Sequence, residues 1–215
     1  MTWKDVTVWQ YQQIQNLLSK KDNLTDLDMA VKTLAILTNQ TESQIDSLSV
    51  KDLNNQLLKI KFITETKPEA KPVDFINTPR RKYRCIYDVR NIPYARYLET
   101  KFFGDNVVLN IHKIGASMVM PMKRTWRGWK VAKYDSSKHE EYAEDLLEAP
   151  FEQVYGSMVF FCQVFSDSIK SLADYFKTQA IKKGMTEEEA EIMAKGLCNA
   201  MDGYTKLLSS QTMKE

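Results

Sequence analysis

Lys67-Pro68-Glu69-Ala70-Lys71-Pro72-Val73-Asp74-Phe75-Ile76-Asn77-Thr78-Pro79-Arg80-Arg81-Lys82-Tyr83-Arg84-Cys85-Ile86-Tyr87 is the stretch whose reading decides the fold. Pro68, Pro72 and Pro79 lack an amide hydrogen and hold φ fixed, so none sits inside a helix. Each also biases the residue before it toward extended backbone. The runs 73–76 and 82–87 are rich in branched and aromatic side chains, and the turn formers of 77–81 separate them. The pattern predicts a β-hairpin with a longer loop. An isolated two-stranded hairpin is marginal in water, so this one must lie on helices or donate an edge to a partner. On either side of it the apolar spacing is helical. The expected fold is mostly α, a helical bundle in two blocks with a small β-hairpin between them. Residues 1–64 form an N-terminal helical cluster, 65–90 the proline-punctuated linker and hairpin, and 91–215 a C-terminal helical bundle.

Working back from the hairpin, Thr7 caps a helix running to about residue 20, with Tyr11, Ile14, Leu17 and Leu18 on one face. Leu27, Ala30, Val31, Leu34 and Leu37 repeat at the three-and-four spacing of a second helix. Thr41-Glu42-Ser43-Gln44 has the form of a capping box and starts a short turn carrying Ile45 and Leu48. Ser49 caps a fourth helix, in which Val50, Leu53, Leu57 and Ile60 line up.

Forward of the hairpin, Pro93 suits the first turn of a helix reaching Phe103, ended by Gly104-Asp105. An apolar helix over 106–118 stops before Pro121. Residues 122–130, Met-Lys-Arg-Thr-Trp-Arg-Gly-Trp-Lys, read as a basic, tryptophan-bearing connection. Ser136 or Ser137 caps a helix through Ala149, with Glu140, Glu141 and Glu144 early in it, where the helix dipole favours negative charge. Phe151 opens the longest helix, whose core stripe is Phe151, Val154, Tyr155, Met158, Cys162, Phe165, Ile169, Leu172, Phe176 and Ala180. Lys182-Lys183-Gly184 ends it. Thr186-Glu187-Glu188-Glu189 caps a last helix with Ala190, Met193, Leu197, Met201, Tyr204 and Leu208 on one face, and residues 209–215 read as frayed.

An apolar fraction of 43% and a charged fraction of 27% over 215 residues are those of a globular protein. The net charge of +2 demands neither a nucleic-acid nor a membrane partner. Cys85, Cys162 and Cys198 are odd in number and far apart, which argues against a disulfide framework and against paired zinc-ligand spacing. The start of the chain, Met1-Thr2-Trp3-Lys4-Asp5, shows no secretory pattern, and no apolar run approaches the about 20 residues that span a bilayer. A cytosolic location is expected.

Chemistry-bearing motifs are missing from the sequence. His139-Glu140-Glu141-Tyr142 begins a zinc motif, but the second histidine it needs is Ala143. His112 has no partner ligand at helical spacing. The acidic groups Asp26/Asp28, Glu140/Glu141/Glu144/Asp145 and Glu187/Glu188/Glu189 all lie at predicted helix starts, where carboxylates are favourable for local reasons. Gly115-Ala116-Ser117 lies in a helical pattern without the flanking strand of a nucleophile elbow. Seven glycines form no phosphate-cradling loop. No catalytic, metal-binding or cofactor-binding residues are assigned, and no enzyme activity is expected.

Two basic segments remain, Arg80, Arg81, Lys82 and Arg84 in the hairpin, and Lys123, Arg124, Arg127, Lys130 and Lys133 interleaved with Trp126 and Trp129. Three readings stay open. The indoles can anchor a connection to the core while the cations stay in water. Tryptophan and arginine can form a protein–protein hot spot. Cations mixed with aromatics can bind nucleic acid by stacking and phosphate contact. The expected partner-binding residues are Trp126, Arg127 and Trp129, followed by the hairpin edge at Arg81, Tyr83 and Arg84, where strand addition would dock a partner.

Four stretches carry a resemblance. They are Thr7-Val8-x-Gln10-Tyr11; Leu34-Ala35-Ile36-Leu37-Thr38 followed by Ile45-Asp46-x-Leu48; Arg96-Tyr97-Leu98-Glu99 with Asn110-Ile111-His112-Lys113; and Pro150-Phe151 with Gly156 and Phe160-Phe161. In these the chain resembles the small helical tail and connector assembly proteins of bacteriophages, tail assembly chaperone-like, of the kind infecting Bacteroides and related bacteria. The resemblance implies a non-enzymatic virion-assembly role, as a chaperone or a virion subunit. Its partners would be other phage structural proteins, or itself in a ring, with no cofactor and no membrane. The place of action would be the host cytoplasm during assembly, or the virion. A nucleic-acid-binding module using 80–84 and 123–133 is the alternative.

Overall fold

Thr7, Thr25, Thr41 and Ser49 each accept the backbone amide of the third residue on, from Gln10, Asp28, Gln44 and Asp52. These local bonds satisfy donors that a helix start leaves orphaned, and they fix where four N-terminal helices begin. The computed structural model describes residues 1–20, 24–88 and 106–201. The helices so capped are α1 (Val8–Leu18), α2 (Asp26–Thr38), α3 (Glu42–Asp46) and α4 (Val50–Ile60), followed by the single turn α5 (Phe62–Glu65). Strands β1 (Phe75–Asn77) and β2 (Lys82–Cys85) come next, then α6 (Val107–Met118), β3 (Val119–Thr125) and β4 (Gly128–Val131). The chain continues through α7 (His139–Leu147), α8 (Phe151–Lys182) and α9 (Glu187–Met201). The expected helix over 91–103, the stretch 96–99 and the positions of Tyr204 and Leu208 lie outside the described residues.

The protein is mostly helical, as expected, and the hairpin is present, but it is half of a larger sheet. Four antiparallel strands run in the order β1-β2-β3-β4. Tyr83 pairs with Ile76 on one side and Pro121 on the other, and Arg124 pairs with Trp129. The segment 122–130, expected as a connection, is therefore corrected to a hairpin of β3 and β4 turning at Trp126-Arg127. Pro121 disguises it, since proline normally argues against an inner strand. Here its missing donor falls at the end of the β3–β4 ladder, and its carbonyl still accepts from the Ala132 amide at 2.8 Å.

Sheet alternation sends Ile76, Tyr83, Cys85, Val119 and Pro121 inward. Tyr83 meets Tyr142 of α7 edge-on at 6.0 Å, and Cys85 lies 3.7 Å from Ser157 of α8. The same core takes Val6, Val8, Ile14 and Leu34 from the N-terminal part and Ile114, Leu146, Phe151 and Met158 from the C-terminal part. Tyr11 stacks on Phe151 with ring centroids 3.8 Å apart, and Trp3 packs against both. The backbone seals this join. Val8 donates to the Ala149 carbonyl at 3.0 Å and Phe151 to the Val6 carbonyl at 2.8 Å.

Several side chains depart from the expected stripes. Leu27 and Val50 are exposed, while Gln10 and Gln12 of α1 are buried. The amides justify this by hydrogen bonding: Gln10 donates to the carbonyls of Ile36 and Leu37, and Gln12 to those of Val108 and Leu109. A buried amide with its donors satisfied costs little, and it ties α1 to α2 and to α6.

The proline-rich strap over 67–73 crosses α8 at Gly156. A Cβ there would lie 2.7 Å from the Lys71 nitrogen and 2.8 Å from its carbonyl carbon. Only glycine fits. Gly156→Ala should destabilise by at least the about 1–3 kcal/mol of ordinary overpacking, because the obstacle is backbone. Gly196→Ala in α9, where nothing lies within 4 Å, should instead stabilise by about 1 kcal/mol. Urea unfolding of the two variants checks the opposite signs, and equal effects would remove the strap contact from the account.

Candidate functional site

Arg81 and Tyr83, expected as docking residues, face the protein's own interior. Tyr83 is fully buried, and its hydroxyl donates to Asp145 of α7 at 2.6 Å. Thr78 donates to the other oxygen of the same carboxylate at 2.8 Å. Burial first, then the bond to Asp145, holds the Tyr83 phenol well above its ordinary range. Arg81 pairs with Glu141 and Arg80 with Glu148, and the Arg81 guanidinium lies 5.6 Å from the Tyr142 ring. These contacts clamp the β1–β2 loop to α7. Because β2 is bonded to β1 and to β3, it has no free edge, so strand addition at Arg81, Tyr83 and Arg84 is corrected. Arg84 alone of the three is exposed, on the outer face of the sheet.

Ser117 and His139 are both buried, and Ser117 Oγ lies 3.1 Å from His139 Nε2. The pair resembles a nucleophile with its base, but the same Nε2 sits 3.2 Å from the Lys113 carbonyl. The Ser117 hydroxyl donates to that same carbonyl at 3.3 Å, so both side chains converge on one backbone acceptor. The contact joins α6 to α7. Burial pushes the Cys162 thiol up to about 12 and raises Cys85 as well, which suppresses the reactive thiolate. Among the described residues no group of three or more His, Cys, Asp or Glu side chains is placed to hold a metal, and no helix is long and apolar enough to cross a membrane. An open groove of about 600 Å³ between α1, α2 and α4 is lined by Ile14, Leu18, Met29, Leu57 and Leu58, and its titratable lining groups are Asp26 and Lys61.

The second basic segment is the exposed one. Thr125 and Gly128 close the β3–β4 hairpin around Trp126-Arg127, with the Thr125 hydroxyl donating to the Gly128 carbonyl at 2.7 Å. Gly128 takes φ of +108°, a conformation that side-chain-bearing residues resist. Trp126 is 87% exposed and Trp129 49%, so neither indole anchors the segment to the core. The Arg127 guanidinium lies 4.2 Å from the Trp126 ring. Lys123 stands directly opposite Lys130 on one face of the hairpin, and Arg124 opposite Trp129 on the other. Lys82 of β2 lies 5.9 Å from the Trp129 ring and 4.4 Å from Phe75, so the outer sheet face joins the two basic segments. Phe75 escaped the sequence reading, because only the strand register places it beside Lys82.

A different exposed surface lies at the far end of α8. Beyond Ser166, only Ala173 is buried among its described side chains. Leu172, Phe176 and, on α9, Met193, all expected inside, are exposed, as is Tyr175. The outer half of α8 and α9 form an arm, closed on itself by the buried Ala173, Ala190 and Ala194 and by an ion pair of Lys177 with Glu191.

Comparison with known protein families, with curated proteins and with solved structures finds no match for this chain.

His112 supplies a measurable signature of the α1–α6 join. Its Nδ1 lies 2.9 Å from the Gln12 amide, and burial first, then Lys113, brings its pKa from 6.5 down to about 4. Between those values the unfolded chain binds a proton that the folded one refuses, so stability falls as the pH drops from 6.5 toward 4. Urea midpoints across that range should show this loss in the wild type and a smaller one in His112→Gln. An equal slope in both would place the imidazole in water.

Proposed function

We propose that this chain is a non-enzymatic virion-assembly protein of bacteriophage type, working by contact with other structural proteins and with copies of itself. The observation that carries the reading is the arm, where Leu172, Tyr175, Phe176 and Met193 remain in water. Tyr175 and Phe176 meet edge-on at 5.7 Å and present large apolar area at the end of a long helix. Apolar surface gathered in one place marks an interaction site rather than ordinary exposure. A helical pair whose buried described side chains beyond Ser166 on α8 and along α9 are alanines leaves its flanks for a neighbour to cover. The resemblance to phage tail and connector assembly proteins supplies the setting, the host cytoplasm during assembly or the particle itself.

The partner assigned to the arm is a second copy of the chain, as a ring of subunits requires. Sedimentation of the wild type should give a multiple of the monomer mass. Tyr175→Ser with Phe176→Ser should give the monomer, with unchanged helix content by circular dichroism. A monomeric wild type at high micromolar concentration, or a double variant that keeps the oligomer, would refute self-association through the arm.

A further inference from the structure

The β3–β4 hairpin presents charge that no carboxylate among the described residues answers. It carries Lys123, Arg124, Arg127 and Lys130, with Lys133 just beyond, and among the described residues none of the five makes an ion pair. Of the 28 carboxylates in the chain, none falls between Asn106 and Tyr134. With a net charge of only +2, the positive field is local to this ribbon. Lys123 and Lys130 are direct cross-strand partners, an arrangement that destabilises a sheet unless an anion comes between them.

We propose that this hairpin is a nucleic-acid-binding ribbon that enters a groove of duplex DNA and holds it through phosphates, without reading sequence. The cations lie on both faces and at the tip: Lys123 and Lys130 on one side, Arg124 beside Trp129 on the other, Arg127 in the turn. A flat acidic protein surface touches one face of a ribbon. A groove has a phosphate wall on each side, and a major groove about 12 Å wide admits a two-stranded ribbon. Lysines alone would serve to protect a sheet edge from aggregation. That role leaves Trp126 unexplained, since an indole 87% exposed at the tip invites association. Arg127 covers one face of that ring at 4.2 Å, and the other face remains for a base or sugar. On the outer sheet face Lys82 and Arg84 extend the track beyond the ribbon. This inference goes beyond the assembly reading and does not rest on the arm.

Fluorescence anisotropy of the full chain with a short labelled duplex of mixed sequence tests it. Binding at low salt should weaken with a log–log salt slope of about −2.7 to −3.6, three or four phosphates each contributing about 0.9. A change of duplex sequence should leave the affinity within about twofold. Lys123→Gln with Lys130→Gln should reduce the slope magnitude by about 2 and leave the thermal midpoint equal or higher, because a repulsive pair has gone. Trp126→Ala should weaken binding with the slope unchanged. The proposal is overturned by no binding at low salt, by a salt slope that the double variant keeps, by displacement of the duplex by polyglutamate at equal charge, or by tighter binding of the single strand than of the duplex.

Discussion

The backbone of Lys71 lies on Gly156 so closely that no side chain could stand between strap and helix. The neighbouring polar groups complete the seat. The Val73 amide donates to Ser157 Oγ at 3.3 Å, and the Tyr87 hydroxyl donates to the Val73 carbonyl at 2.6 Å while sitting 3.0 Å from the same Ser157 oxygen. The Glu69 amide reaches Glu152 one turn earlier on α8. A strap with two prolines, Pro68 and Pro72, loses less conformational freedom on docking than an ordinary segment, which makes a small set of hydrogen bonds sufficient to hold it. Where the strap ends, β1 begins, so this contact determines how the sheet lies on α7 and α8.

From that seat the rest of the sheet follows. β2 turns its inner face to Asp145, Tyr142 and Ser157, and β3 pairs with it only over Val119–Pro121. Beyond Pro121, β3 keeps pairing with β4, and its residues are half-buried or exposed while all four of β4 are exposed. The ribbon is thus an extension of a well-anchored sheet, buried at its root and exposed at its tip. The α8–α9 arm is built on the same plan: a helix anchored by Phe151, Val154, Met158 and Cys162 runs on past the body and carries apolar side chains outward. One anchored helix and one anchored sheet each deliver a different chemistry to solvent, the first apolar, the second cationic.

The parts legible from sequence were those decided by near neighbours. Thr7, Thr41, Ser49 and Thr186 cap helices through bonds three residues long, and Gly184 ends α8 at φ of +93°, all within reach of local pattern. The first hairpin could be read because its prolines and aromatics bracket it. The second could not: methionine and lysine do not announce a strand, and Pro121 argues against one until the ladder shows where its missing donor falls. The Gly156 contact joins positions far apart in the chain, which no spacing rule can see. Tryptophan and arginine at 126–129 were visible as a cluster of aromatic and cationic side chains, whereas the exposure of Phe176 was hidden by a stripe that is core-like in its first half and solvent-facing in its second.

Native-state hydrogen exchange tests the seat of the strap directly. The Val73 amide, the β1 and β2 ladder amides and the middle of α8 should open together, with one free energy and one denaturant dependence, because strap and helix part only when the sheet leaves the core. Exchange of Val73 and the ladder at rates close to those of an unstructured chain, while the middle of α8 stays protected, would contradict that account.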